Sequence, residues 1–100
     1  MSIVAAIWFA RLSVAAASGI EKSSRIGYAI GIGYPGPSWN ERTASLQPGD
    51  QTVLEPNMTF HMIIGLWLDD WGFELSETFR VTDGAPEVFA DVAREVFVKW

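Results

Sequence analysis

Three side chains of this sequence combine a reactive group with a position in an apolar, strand-like segment. His61 is the single histidine of the 100 residues, and an imidazole can act as an acid, a base or a hydrogen-bond donor. Tyr28 can donate a phenolic hydrogen bond, and the Glu77 carboxylate can hold an amidinium-like cation or act as a base. Each also has a structural interpretation: a hydrogen-bonded histidine, a core tyrosine, and a carboxylate in a salt bridge with Arg25 or Arg80.

Aromatic residues are a second source of candidate binding groups, because five tryptophans occur in 100 residues. The faces of Trp39, Trp67 and Trp71 can enclose a small cationic or zwitterionic ligand through cation–π contact. The same rings can equally be packed in a core or a dimer interface. Asp69 and Asp70 are adjacent carboxylates, but this pattern is typical of a turn rather than of a catalytic pair.

Charge and composition exclude several classes of function. The net charge is -5 and no basic stripe is present, so we expect no nucleic-acid binding. The absence of cysteine excludes disulfides, thiolate metal sites and a cysteine nucleophile. The apolar segment 3–17 is shorter than the roughly 20 residues of a membrane span and contains Arg11, so we expect no membrane association.

The spacing of apolar residues predicts which elements position these side chains. Residues 3–17 repeat apolar positions near the helical period of 3.6, and Gly19 is placed to end a helix there. Further along, alternation of apolar and polar residues predicts strands with a hairpin turn at 69–72. These strands are expected at about 26–32, 52–54, 59–68 and 73–82. Residues 87–99 are either a short helix or a loose tail.

Four motifs, in this order, resemble the second half of the catalytic domain of creatinase/prolidase-type ("pita-bread") hydrolases. Residues 27–31, Gly-Tyr-Ala-Ile-Gly, stand where prolidases and methionine aminopeptidases have Gly-His-Gly-Ile-Gly. Residues 54–60 are similar to the family's Leu-x-Pro-Gly-Met-x-Phe, and residues 76–82 and 83–89 are similar to its last strand and ending. The resemblance implies an α+β fold in which 1–100 is half of a pita-bread domain, with an N-terminal helix on a curved antiparallel sheet.

Short segments within that pattern look like the ectoine hydrolase branch of the family. They are Ile-Gly-Tyr at 26–28, Ile-Gly-Tyr-Pro at 32–35, Trp-Asn-Glu at 39–41, Phe-His at 60–61 and Gly-Leu-Trp at 65–67. The resemblance implies a hydrolase that opens the cyclic amidine of a small solute, rather than a peptidase. It implies catalytic roles for His61, Glu77 and Tyr28, and substrate-binding roles for Tyr34, Trp39 and Trp67. It also implies a cytoplasmic homodimer when intact, with the first half of the domain as a missing partner.

The metal-ligand positions of the family are substituted in this chain. Metal-dependent members use two Asp, one His and two Glu, and the two Asp belong to the first half, which we expect to lie outside these 100 residues. The His position falls on Tyr28 and the first Glu position on Ile63. The second falls on Ser76, or on Glu77 if the strand is shifted by one residue. We therefore expect no metal and no other cofactor.

Three functions remain open on the sequence alone. The first is the substrate-pocket half of a metal-independent C–N hydrolase acting on a small molecule. The second is a truncated, inactive family member or a non-catalytic binding module, and the third is an Xaa-Pro peptidase-like hydrolase. Because one fold can carry several of these functions, the fold does not separate them.

Overall fold

The computed structural model describes Gly19 and residues 24–32 and 44–100, and these contain one antiparallel sheet of five strands. The strand order is β2-β1-β3-β4-β5, so the two nine-residue strands β3 and β4 are neighbours. The strands are β1 (Gly27–Ile30), β2 (Ser45–Leu46), β3 (Thr59–Trp67), β4 (Gly72–Arg80) and β5 (Glu87–Val88). In the described ranges, no helix is long and apolar enough to cross a membrane.

The β3–β4 hairpin confirms the strands predicted from alternation. Its register runs from Thr59 opposite Arg80 to Trp67 opposite Gly72. The connection is closed by a hydrogen bond from the Leu68 N–H to the Trp71 carbonyl oxygen, at 2.8 Å. Because successive side chains point to opposite faces, this register decides which residues of the two strands share a face.

The strand predicted at 52–54 is wrong, and the short strand of this region is β2 instead. Asp50 causes the difference, because its carboxylate accepts hydrogen bonds from the N–H groups of Ser45 and Thr52, both at 2.8 Å. This ties the chain into a turn after β2. Residues 52–54 then run without a strand partner, although Leu54 is buried in the core.

The remaining sequence predictions fall at the two ends of the chain. The helix predicted at 3–17 lies outside the described residues. Residues 87–99 contain β5 and no helix, which matches the tail interpretation except for the two paired residues of that strand. Several large apolar side chains after β5 are exposed, among them Phe97 and Trp100.

A core covers one face of the sheet. Phe60 of β3 lies opposite Phe79 of β4, and their rings are stacked with centroids 5.9 Å apart. Ala29 of β1 continues the same row, while Leu46 and Leu54 are buried in the same cluster. We call this side of the sheet the core face.

The turn that leads into β3 is fixed to the end of β4. Asn57 has a φ of 76°, in the left-handed region that Asn tolerates and glycine prefers, and it stands where the family motif has Gly. Its N–H donates to the Val81 carbonyl oxygen at 2.9 Å, and its side-chain oxygen accepts from Arg80 Nη1 at 2.7 Å. These bonds help to hold β3 in register with β4.

Close approach of β1 to β3 depends on Gly27. A Cβ atom at this position would lie 2.6 Å from the His61 carbonyl oxygen and 3.0 Å from the Met62 Cα. Only glycine lets the two backbones come so near. The same approach brings Tyr28, the next residue of β1, directly opposite His61.

Candidate active site

Tyr28, His61 and Thr78 form a cross-strand row over β1, β3 and β4. Tyr28 pairs with His61, and His61 pairs with Thr78, so the three side chains are neighbours on one face. The Tyr28 and His61 rings have centroids 5.6 Å apart, and His61 Nδ1 is 2.8 Å from Thr78 Oγ1. We call these three residues the polar row, and the side of the sheet that carries them the histidine face.

The polar row is only partly closed to solvent. Tyr28 is buried, and the Arg25 guanidinium carbon lies 5.2 Å from the centroid of its ring. His61 and Thr78 are half-buried. The bond to Thr78 engages Nδ1 of the imidazole, so Nε2 is the ring nitrogen that remains for a ligand.

A small cavity of about 200 Å³ lies beside Tyr28 on the histidine face, and Trp67 forms one of its walls. The indole lies against two glycines, since a Cβ at Gly65 would be 2.9 Å from Trp67 Nε1, and one at Gly72 would be 2.8 Å from Trp67 Cε3. Trp67 is still 71% exposed. Arg25 and Ile63 line other parts of the cavity, which therefore combines a cation, two aromatic rings and apolar surface.

Glu77 lies on the other side of the sheet, away from the polar row. It pairs with Met62, and it lines a separate cavity of about 450 Å³ together with Leu54 and Phe79. Its side chain is 10% exposed and accepts a hydrogen bond from Arg94 Nε at 2.8 Å. The sheet therefore does not bring Glu77 to His61.

Glu77 forms a salt bridge, as its structural interpretation predicted, but with a residue that was not predicted. The sequence suggested Arg25 or Arg80, but Arg80 forms an ion pair with Glu87, and Arg25 stacks on the Tyr28 ring. Arg94 comes from the C-terminal segment, which has no regular structure at that point. No local sequence pattern pairs Arg94 with Glu77, because 17 residues separate them.

The substituted metal positions come together on the histidine face. Ile63 pairs with Ser76, and Ile63 is two residues beyond His61 on the same side of β3. Of Ser76 and Glu77, only Ser76 thus shares a face with Tyr28 and Ile63, which favours Ser76 over Glu77 as the equivalent of the family's second Glu.

The side chains at these positions do not fit a two-metal centre. Ile63 has no donor atom, and hydroxyl groups such as those of Tyr28 and Ser76 are not usual ligands for a divalent pair. The Ser76 hydroxyl donates to Glu74 at 3.3 Å. Over residues 24–32 and 44–100, no three His, Asp or Glu side chains are grouped so that they could hold a metal ion.

The structure describes only some of the other predicted site residues. Tyr34 and Trp39 lie outside the described residues. Trp71, Asp69 and Asp70 are exposed in the hairpin connection, as expected for turn residues. Thr78 was not predicted, because its contact with His61 depends on the exact register of the hairpin, which alternation within each strand does not give.

Comparison with known proteins identifies the family. The model of "Metallopeptidase family M24" matches residues 3–83. This chain belongs to that family. The resemblance inferred from the four motifs is thereby confirmed, and the antiparallel sheet agrees with the sheet of half a pita-bread domain.

Three individual proteins of known sequence are similar to most of this chain. The chain is 54% identical over 76 residues to the ectoine hydrolase of Halomonas elongata, covering 76% of the chain and 19% of the relative. It is 52% identical over 82 residues to the uncharacterised hydrolase/peptidase y4tL of Sinorhizobium fredii, covering 81% of the chain and 20% of that protein. A second such protein, y4tM, is 48% identical over 83 residues, which are 83% of the chain and 21% of y4tM. The chain thus spans about a fifth of the length of these relatives.

Proposed function

We propose that this chain supplies one wall of the substrate pocket of a metal-independent C–N hydrolase, which opens a small cyclic amidine solute such as ectoine. The observation that carries the proposal is the 54% identity over 76 residues to an ectoine hydrolase. That stretch is most of the chain, so it must include a large part of the sheet that bears the polar row. The cavity of about 200 Å³ beside Tyr28 is also of a size for a small solute.

His61 and Tyr28 are the groups that we propose to contact the substrate. Hydrolysis of a C–N bond requires protons to move at the attacking water and at the leaving nitrogen, which a positioned imidazole or phenol can assist. The rings of these residues lie side by side, with centroids 5.6 Å apart. Tyr28 lines the small cavity and His61 is its neighbour outside the lining, so the proposal requires a substrate that extends from the cavity toward His61.

Aromatic side chains are proposed to hold the substrate in place. The face of Trp67 can attract a cationic amidine through its quadrupole, and Trp67 is mostly exposed and forms one wall of the cavity. Tyr34 and Trp39 are proposed as further parts of the same wall. We do not place Glu77 against the substrate together with His61, because it lies on the core face and is paired with Arg94.

Metal independence is proposed from the donor atoms, not from the family's name. The isoleucine at position 63 removes one carboxylate ligand and the serine at position 76 removes another. The remaining reaction must then rely on proton transfer and hydrogen bonding by side chains. We further propose that the intact enzyme is a cytoplasmic homodimer, and that the first half of the domain supplies the opposite wall of the pocket.

The proposal is tested with a chimera of the Halomonas elongata ectoine hydrolase, in which the matched fifth is replaced by this chain. We expect the chimera to consume ectoine, as measured by chromatography of the substrate and its ring-opened product. The 100 residues alone should not, because one wall cannot supply the positioning that is worth about 7–11 kcal/mol of the barrier. Ectoine turnover by the isolated chain would contradict the two-wall pocket.

Alternative functions give different results in the same experiment. Cleavage of an Xaa-Pro dipeptide by the chimera, without ectoine turnover, would support the peptidase. A chimera that has the oligomeric state and thermal unfolding of the parent enzyme, yet hydrolyses neither substrate, would support a binding module or an inactive family member.

A further inference from the structure

We propose that Thr78 is a positioning residue that donates its hydroxyl hydrogen to Nδ1 of His61, and so keeps the neutral imidazole proton on Nε2. The inference rests on the proposed function in one respect, which is that His61 contacts the substrate. In this state His61 presents an N–H to the substrate, and not a lone pair.

The contact between the two residues is built into the sheet. Thr78 lies directly opposite His61 in the β3–β4 register, and Oγ1 is 2.8 Å from Nδ1. Threonine is stiff at χ1 because its Cβ is branched, so Oγ1 keeps a defined position beside Nδ1. Nine consecutive residue pairs on the two strands hold both backbones in place.

The direction of the hydrogen bond follows from the supply of acceptors. A threonine hydroxyl has one hydrogen to donate and two lone pairs that can accept. Among the described residues, His61 Nδ1 is the side-chain hydrogen-bond partner of Thr78 Oγ1. If the ring donated instead, the Thr78 hydroxyl hydrogen would have no acceptor among the described residues, and the proton would sit on Nδ1, the less stable neutral form of an imidazole ring. If Thr78 donates, the donor left over is the Nε2–H, which a substrate can use.

The inference assigns a definite chemical role to His61. A neutral imidazole that carries its proton on Nε2 can donate to an oxygen on which negative charge develops, or to a departing nitrogen. It cannot at the same time remove a proton from water through Nε2. A different group must therefore accept the proton of the attacking water, and the substrate must offer an acceptor atom to His61.

The tautomer is measured by nuclear magnetic resonance on the full chain labelled with ¹⁵N-histidine. The single histidine gives one Nδ1 and one Nε2 signal, so assignment is unambiguous. For the neutral imidazole, we expect the proton on Nε2. Thr78→Val should shift the population toward a mixture of the two tautomers, and Thr78→Ser should restore the original signals.

Ser76→Ala is the matched control, because Ser76 lies on the same strand and face but bonds to Glu74. It should leave both imidazole signals unchanged. A proton found on Nδ1 in the unmodified chain would overturn the inference, and so would identical imidazole spectra for the Thr78→Val variant and the unmodified chain.

The chimera supplies a second readout that does not depend on the isolated chain. Thr78→Val should lower kcat about 10-fold or more, as loss of a partner that orients a functional histidine does, with little change in KM. Thr78→Ser should recover most of kcat. Equal kcat/KM for the Val and Ser variants would contradict the positioning role.

Failure of the proposed function gives a different result. If the chain shows the expected tautomer but a folded chimera does not consume ectoine, the proposed function is rejected and the Thr78–His61 contact still stands.

Discussion

The two faces of this sheet are built from the same strands but differ in what their side chains do. The histidine face carries the polar row and Trp67, and it is open to a ligand. The core face carries the stacked Phe60 and Phe79, and the Glu77 carboxylate on this face is engaged by Arg94. Glu77 and Thr78 are adjacent in the sequence, yet one lies on the core face and the other in the candidate site. In a strand, nearness in sequence therefore does not indicate a shared site.

The largest effect on stability should come from the core face. Phe60 is 1% exposed, so Phe60→Ala removes a buried ring and should lower the free energy of unfolding by about 3–5 kcal/mol. Trp67→Ala, on the histidine face, removes a larger but mostly exposed ring and should cost less than about 1.5 kcal/mol. Urea denaturation of the full chain measures both values. Similar losses would mean that the two faces are equally buried in solution.

For activity, unlike stability, substitutions on the histidine face should have the larger effect. In the chimera, His61→Ala should lower kcat/KM by about 10²-fold or more, the scale of a proton-transfer group. Glu77→Gln keeps the size of the side chain but weakens the bond to Arg94, so it should lower the unfolding temperature and reduce kcat/KM by less than about 10-fold. Steady-state kinetics with ectoine give the comparison.

Two kinetic outcomes would break the division between the faces. A loss from Glu77→Gln as large as that from His61→Ala would place a catalytic group on the core face. Indifference to His61→Ala, Tyr28→Phe and Glu77→Gln combined would exclude both faces from the chemistry.

A smaller effect concerns the edge of the sheet, where Asp50 joins β2 to the following turn. Hydrogen bonds from Thr52, with a further one from the Ser45 N–H, hold the pKa of Asp50 below its ordinary value of 3.8. Because the folded pKa is depressed, the stabilisation is present above the unfolded pKa and is lost as the pH falls through the folded value. At pH 7, Asp50→Asn should therefore be less stable than the unmodified chain by about 1 kcal/mol.

The difference caused by Asp50→Asn should shrink as the pH falls below about 4. Urea denaturation at pH 7 and at pH 2.5 would measure it. Asp69→Asn is the control, since Asp69 is exposed in the hairpin connection, and it should change stability by less than about 0.5 kcal/mol at both pH values. A difference for Asp50→Asn that stays constant with pH would show that its carboxylate charge does not contribute.

The smallest expected signal is a null one, from metal binding on the histidine face. Because Ile63 and Ser76 occupy the two Glu positions, titration of the full chain with zinc, manganese or cobalt should give no stoichiometric heat. Binding of micromolar affinity or better, about 8 kcal/mol or more, would overturn the alignment of these positions. Such a signal would also mean that side chains other than those at the assigned positions coordinate a metal ion on this face.

The sequence by itself determined the family, the long strands and their hairpin. Strand alternation and turn residues act over a few positions, so β3, β4 and the connection between them could be predicted from local patterns. The motifs at 27–31 and 54–60 identified the family for a similar reason, since each reflects a local backbone requirement. At Asn57, for example, that requirement is a positive φ.

Only the tertiary structure decided which residues meet across the sheet. The pairing of β1 with β3 places Tyr28 beside His61, and the pairing of β3 with β4 places Thr78 there and Glu77 on the other face. The β1–β3 pairing joins residues far apart in the chain, the β3–β4 register depends on the geometry of the hairpin turn, and a shift of one residue in either would exchange the faces. The turn at Asp50 likewise put the short strand at β2 instead of 52–54, through bonds that no alternation pattern encodes. The candidate site is therefore a property of strand register, whereas the strands themselves are a property of local sequence.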